Sequence, residues 1–252
     1  MVSLIITLIA YLLAFILFLF NNFTTKQTKT IPYTLLITGF IFYVFSLIEH
    51  FVQVKTFPVG DIYGMLSFIG NLSVLIFVIF SRKYNFSIFG TIISFIAFLT
   101  TVLLIPSKKL GFSNPLYILH IFSAGLSYTF LIFAGLTSFA KLLVEKKLKE
   151  KSLKIPFAPL RILKSLEKFF IIAGFIGLTL TLIFGSLWAK DFLGTHWIND
   201  TKLLTTLLLW TYYAFLSHMY ILKIFKPSHI SFLSLSGTAL SLIALLFFRH
   251  SF

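Results

Sequence analysis

The sequence predicts an all-α integral membrane protein, a bundle of eight transmembrane helices with both termini outside. Composition is the first reason. Of 252 residues, 58% are hydrophobic and 11% charged, where a soluble domain carries about a quarter charged residues. Mean hydropathy is +1.00, and 33 phenylalanines exceed what a soluble core of this size encloses. A bilayer must then be the solvent, and there helices satisfy their own backbone polar groups. Secreted, cytosolic and disordered classes are excluded. The second reason is that eight apolar runs approach the ~20 residues needed to cross hydrocarbon. The third is where the bases fall between those runs.

In order, the runs are residues 2–20, 31–48, 59–80, 86–106, 115–140, 169–187, 203–225 and 230–248. The first sits where a signal peptide would. It lacks a basic start, and Phe20, Asn21, Asn22 and Phe23 form no small-residue cleavage site, so it is expected to stay as a span. The third opens on Gly60 and Gly64, a single GxxxG and a weak packing signal. Pro156 and Pro159 interrupt the stretch between the fifth and sixth runs. Either Asn199 or Asp200 is placed to cap the seventh. The whole chain, 1–252, is expected to form one domain.

Eight spans put both termini on one side. With both outside, the inner loops collect Lys26, Lys29, Arg82, Lys83, the nine bases from Lys141 to Lys168, Lys223 and Lys226. Lys55, Lys108, Lys109, Lys190, Lys202 and Arg249 remain outside. Short basic loops stay cytoplasmic, so the arrangement is N-out, C-out in a bacterial-type cytoplasmic (inner) membrane. Topology also accounts for the formal charge of +14 without a nucleic-acid partner. The basic connector at about 141–168 is expected to be a solvated extension of the fifth helix lying against anionic lipid. The chain has no cysteine, which excludes disulfides, thiolate metal sites and thiol catalysis.

Ionisable groups at or inside a membrane are costly, so each is a functional candidate. Of six histidines, His50, His120, His196 and His250 fall at or near the outer face. His120 lies roughly 8 Å into the fifth span, and His218 about 22 Å down the seventh, nearer the cytoplasm. His229 is in an inner loop. Neutral imidazole is a common metal ligand and an axial ligand of haem iron. A lone histidine at the headgroup level is more often a simple hydrogen-bonding residue, and four at one level shift that balance. Between the sixth and seventh spans, residues 188–202 hold two of the three tryptophans, Trp188 and Trp197, together with Gly194, His196 and Asp200. Indole faces could pack a porphyrin; an aromatic belt is the simpler account. His120 shares a helical face with Tyr117, Ala124, Ser127 and Tyr128.

These residues resemble the cytochrome c assembly family with a tryptophan-rich WWD domain, which includes CcsA, CcmC and the HemX-like proteins. The family's segment runs WA…WGxYWxWDPKE, followed by a span holding a Trp and a His. Trp188, Ala189, Gly194, Trp197, Asp200 and Lys202 match it in register, as do Trp210 and His218 beyond. PLYILHIFSAGLSY, then LLVEKKLK, resembles the family's His-bearing helix and its basic exit. FPVGDIYGMLSF resembles an N-terminal family stretch, and Arg249, His250, Ser251 and Phe252 resemble its closing LHSY.

The resemblance implies that His120 and His250 are axial ligands of a non-covalent haem b at the outer face. It implies an aromatic loop, with Trp188, Gly194, Trp197 and Asp200, beside that haem. It assigns His218 to a second haem site or transfer path, completed in CcsA by a CcsB-like membrane protein. Leu193, Asn199, Thr201 and Leu203 depart from the motif, as erosion toward a HemX-like branch would. The expected function is a haem-binding and haem-delivery subunit of c-type cytochrome biogenesis that presents haem to apocytochrome c, within a haem lyase complex. The alternative is a HemX-like protein that regulates or scaffolds haem biosynthesis. No residue of this chain is expected to be catalytic. A small transporter ranks third, because no acidic residue is read deep in any span to act as a proton or cation relay.

Overall fold

The computed structural model describes residues 2–24, 30–81, 86–107, 114–151, 158–197 and 200–247. Among them are eight helices: α1 (Val2–Phe23), α2 (Thr30–Val54), α3 (Ile62–Ser81), α4 (Ser87–Val102), α5 (Pro115–Lys149), α6 (Leu160–Leu193), α7 (Thr201–Leu222) and α8 (Pro227–Phe247). By length and apolarity, six of these suffice to cross a membrane: α1, α2, α3, α5, α6 and α8. The other two fall short for different reasons. α4 is apolar but has 16 residues, about 24 Å at 1.5 Å per residue. α7 has the length, and its Thr201, Lys202, Thr205, Thr206, Thr211, Ser217 and His218 dilute its apolarity.

The helices gather into two compact units, Met1–Ser113 and Asn114–Phe252. In the first, α1 packs on α2 and α4, and α3 on α2 and α4. α1 buries Ser3, Thr7, Ala10, Tyr11, Ala14, Phe18 and Asn21, a stripe at helical spacing. Inside an apolar unit a buried polar group needs a partner. The Tyr11 hydroxyl donates to Asn71 Oδ1 at 2.6 Å, and Asn71 Nδ2 donates to the Ser67 carbonyl (2.9 Å) and Thr101 Oγ1 (3.0 Å). That chain ties α1, α3 and α4.

In the second unit α5 and α6 form the longest seam, and α7 and α8 close around it. Small residues let the backbones approach, as is usual for helices in lipid. A Cβ on Gly177 would stand 2.9 Å from the Cα of Ser127, and Ser127 Oγ donates to the Gly174 carbonyl at 2.8 Å. On the other side of α5, Thr238 of α8 donates to the Leu131 carbonyl at 2.7 Å.

The connector differs from its expected form in the early start of the sixth helix and in two of its charges. α5 runs on to Lys149, and α6 already begins at Leu160 behind Pro159. Lys141 and Glu167 are not solvated: both side chains are fully buried and form an ion pair at 2.5 Å. Ser138 (2.8 Å) and Ser231 (2.6 Å) donate to the other carboxylate oxygen, and Tyr220 lies 3.2 Å from the paired one. Lys141 Nζ also donates to the Pro227 carbonyl at 3.0 Å. All four helices of the unit meet at this node. The helical phase of α5 turns Lys141 inward, while Lys146, Lys147 and Lys149 of the last turns are exposed.

Candidate functional site

One end of the second unit starts with Asn114, which caps α5 by accepting from the Leu116 (2.8 Å) and Tyr117 (3.4 Å) amides. Pro115 occupies the first turn, where its missing N–H costs nothing. The Asn114 side chain also donates to Asp191 at 2.8 Å, so the start of α5 is tied to the end of α6. One turn further along α5 comes His120, opposite Gly185 of α6. A Cβ on Gly185 would stand 2.8 Å from His120 Nδ1 and 3.0 Å from Cε1.

His120 Nδ1 lies 2.9 Å from the Thr181 carbonyl oxygen. A carbonyl only accepts, so Nδ1 carries the proton and Nε2 carries the lone pair. This is the tautomer in which a histidine ligates metal through Nε2 while its other nitrogen is anchored by a backbone oxygen. Thr181 is held in turn: its hydroxyl donates to the Gly177 carbonyl (2.8 Å) and lies 3.3 Å from Ser123 Oγ.

One turn toward the start of α5, on the same two helices, Tyr117 meets Trp188 with ring centroids 5.3 Å apart. Phe192 stacks on the indole at 5.4 Å and 10°, and Trp188 is 5% exposed. Trp197 is 47% exposed, so the two tryptophans that look equivalent in sequence differ. Trp188 is a packed ring under the loop, and Trp197 is a ring on its surface. Gly194 ends α6 in the left-handed region at φ 76°, its amide donating to the Lys190 carbonyl; a side chain is strained there. His196 Nδ1 lies 3.2 Å from Ser186 Oγ. Asp200 is buried and caps α7, accepting from the Lys202 (2.6 Å) and Leu203 (3.3 Å) amides. Lys202 turns inward, donating to the Ala244 carbonyl at 2.7 Å with its ammonium 5.6 Å above the Tyr128 ring.

His120, Tyr117 and Trp188 are therefore brought together, and Gly194, Trp197 and Asp200 shape the loop beside them. His250 lies outside the described residues, as does Asn199. His218 is elsewhere. It is exposed on α7, with Nδ1 donating to the Ala214 carbonyl at 2.7 Å. Two residues on, Tyr220 reaches Glu167 beside Lys141, and Lys141 is about 31 Å of helix below His120 at 1.5 Å per residue. One iron cannot take both histidines. In the first unit, His50 lines a cavity of about 260 Å³ with Glu49 and Gln53. Among the described residues, no three His, Cys, Asp or Glu side chains gather as a metal cluster. Two parts of the site escape sequence reasoning: the Thr181 carbonyl and Gly185. The second leaves a trace, since Gly174, Gly177 and Gly185 recur on one face of α6.

A model of the family described as Cytochrome C assembly protein matches residues 59–252, from just before α3 to the C-terminal residue. The chain belongs to the cytochrome c assembly protein family. Among its relatives is the cytochrome c biogenesis protein CcsA of Prochlorococcus marinus (strain MIT 9301), 26% identical over 249 residues, covering 86% of this chain and 79% of the relative. The protein of the same name from Cyanidium caldarium is 25% identical over 228 residues, 76% of this chain and 77% of its own. No solved structure matches the chain. The matched region includes all of the second unit, and with it His120, Gly185 and the 188–202 loop.

Proposed function

We propose that this family member acts in cytochrome c biogenesis as a membrane haem-binding and haem-delivery subunit that presents haem at the outer face to apocytochrome c. The observation that carries the reading is His120: a half-buried imidazole whose Nδ1 proton is committed to the Thr181 carbonyl, one turn from the packed Trp188. That donor set would hold a haem iron through Nε2. His250 is the proposed second ligand, and Trp188, Gly194, Trp197 and Asp200 form the loop beside a non-covalent haem b. The haem supplies the iron and the vinyl groups. The chain supplies binding, orientation and control of ligation, and the substrate's own cysteines supply the thiols.

The membrane arrangement proposed with it has eight spans, N-out and C-out, in an inner membrane. α4 and α7 complete the six helices that qualify by length and apolarity. The exposed His218 belongs to a second haem site or transfer path, which a CcsB-like membrane protein would complete within a haem lyase complex. The exposed bases of the 141–168 connector rest on anionic lipid.

The test is an absorption spectrum with a pyridine haemochrome assay on the detergent-purified protein and on a His120→Ala, His250→Ala double variant. A b-type spectrum in the wild type that the variant loses is the expected outcome. Absence of haem after supplementation overturns the reading. A deletion strain with normal holocytochrome c and altered abundance of a tetrapyrrole-pathway enzyme would replace delivery by the HemX-like regulatory role.

A further inference from the structure

A histidine that ligates metal needs a fixed ring orientation and a fixed tautomer, and both are set by what its other nitrogen touches. Around His120 two features of α6 do this together. The Thr181 carbonyl accepts from Nδ1 at 2.9 Å. One turn outward, Gly185 leaves the space the imidazole fills, since any Cβ there would sit 2.8 Å from Nδ1 and 3.0 Å from Cε1. The neighbouring glycines of α6 serve a different end. Gly174 and Gly177 face Leu131 and Ser127 and set how closely the helices approach. Gly185 alone of the three faces a titratable ring.

We infer that Gly185 is a positioning residue for His120: its missing side chain lets the imidazole lie against α6, where the Thr181 carbonyl fixes the Nδ1–H tautomer and directs Nε2 to the ligand. This rests on the haem-binding reading above. The physical consequence is separable from stability. A methyl group at Gly185 meets the end of a side chain that is half-buried and can rotate away, so the helices need not part. What it displaces is the ring, and with it the hydrogen bond that selects the tautomer. Second-sphere partners of metal-bound histidines are worth roughly 10–100-fold in affinity. Loss of a carbonyl acceptor also makes the imidazole a weaker base, which shifts the iron potential upward.

The experiment uses the full chain in detergent, with ¹⁵N-labelled histidine and His120→Gln for assignment, and compares wild type with Gly185→Ala. In haem-free wild type the His120 nitrogens should report a single Nδ1–H tautomer. Gly185→Ala should show a tautomer mixture, a thermal midpoint close to wild type, haem affinity lowered about 10–100-fold and a more positive midpoint potential. Retention of both tautomer and affinity in Gly185→Ala overturns the inference. So does an Nε2–H tautomer in the wild type, a result that stands even if the variant fails to fold. Wild type that shows the Nδ1–H tautomer but binds no haem overturns the haem reading instead.

Discussion

The buried Lys141–Glu167 pair makes the sharpest demand on the second unit. Both side chains have no solvent exposure, so removing one partner strands a charge in a low-dielectric interior, at a cost of about 3–5 kcal/mol. Glu167→Gln should lie at the upper end, because Lys141 then keeps only the Pro227 carbonyl and a neutral amide oxygen. Lys141→Met should lie nearer 3 kcal/mol, because the carboxylate keeps the hydroxyls of Ser138, Ser231 and Tyr220. The double variant removes both charges and should cost less than the sum of the singles by about 2 kcal/mol, the coupling expected of groups in one network. All three tryptophans lie in Asn114–Phe252, so tryptophan fluorescence during thermal unfolding in detergent reports this unit. At about 2–4 °C per kcal/mol, each single variant should melt roughly 10 °C below wild type. A single variant within about 2 °C of wild type, or a double variant equal to the sum, refutes the account of the pair as a structural clasp.

Two further outcomes are expected. In the first unit, Asn71→Leu leaves the Tyr11 and Thr101 hydroxyls without the amide that joins them, a loss of about 1–3 kcal/mol. It is read by circular dichroism, since this unit holds no tryptophan. At the α7 cap, Asp200→Ala should cost about 1 kcal/mol while Asp200→Asn should cost almost nothing, because both carboxylate and amide oxygens cap a helix. Equal losses in the two variants would mean that the charge matters and not the cap.

The helices were largely legible in the sequence because apolar length is a one-dimensional signal. Their ends were not, because hydropathy stops where lipid stops while the hydrogen-bond ladder continues into water. α5 and α6 accordingly overrun their predicted spans by nine residues each at the connector end, Lys141–Lys149 and Leu160–Lys168. The ion pair was hidden because both residues fall in a charge-rich stretch that reads as a solvated extension of the fifth helix. Phase would have exposed it. Lys141 shares a face with Ala134, Ser138 and Val144, and Glu167 with Leu163, Phe170 and Gly174, all buried. The candidate site was legible only in its residue types. His120 could be singled out, but its anchor lies 61 positions away on a backbone atom that every residue possesses. Likewise the contrast between Trp188 and Trp197 depends on where α6 ends, which Gly194 decides.

The position of the clasp bears on the site at the opposite end of the bundle. From His120 to Lys141 along α5 is about 31 Å, close to the ~30 Å of a hydrocarbon core. Polar chemistry is thus concentrated at two levels one membrane thickness apart, and between them α5 and α6 touch through Ser127, Leu131, Gly174 and Gly177. Within that seam the Ser127 hydrogen bond to the Gly174 carbonyl and the close approach at Gly177 already set the register of α6 on α5. Lys141–Glu167 below and Asn114–Asp191 above add one polar contact at each end of it. Register is what the His120 contact needs: the Thr181 carbonyl and Gly185 are one turn apart on α6, and a shift of a single residue would move each about 1.5 Å and rotate it about the helix axis. The Lys141–Glu167 pair and the Asn114–Asp191 bond thus close the two ends of the α5–α6 seam, and the His120 contact lies beside the second of them.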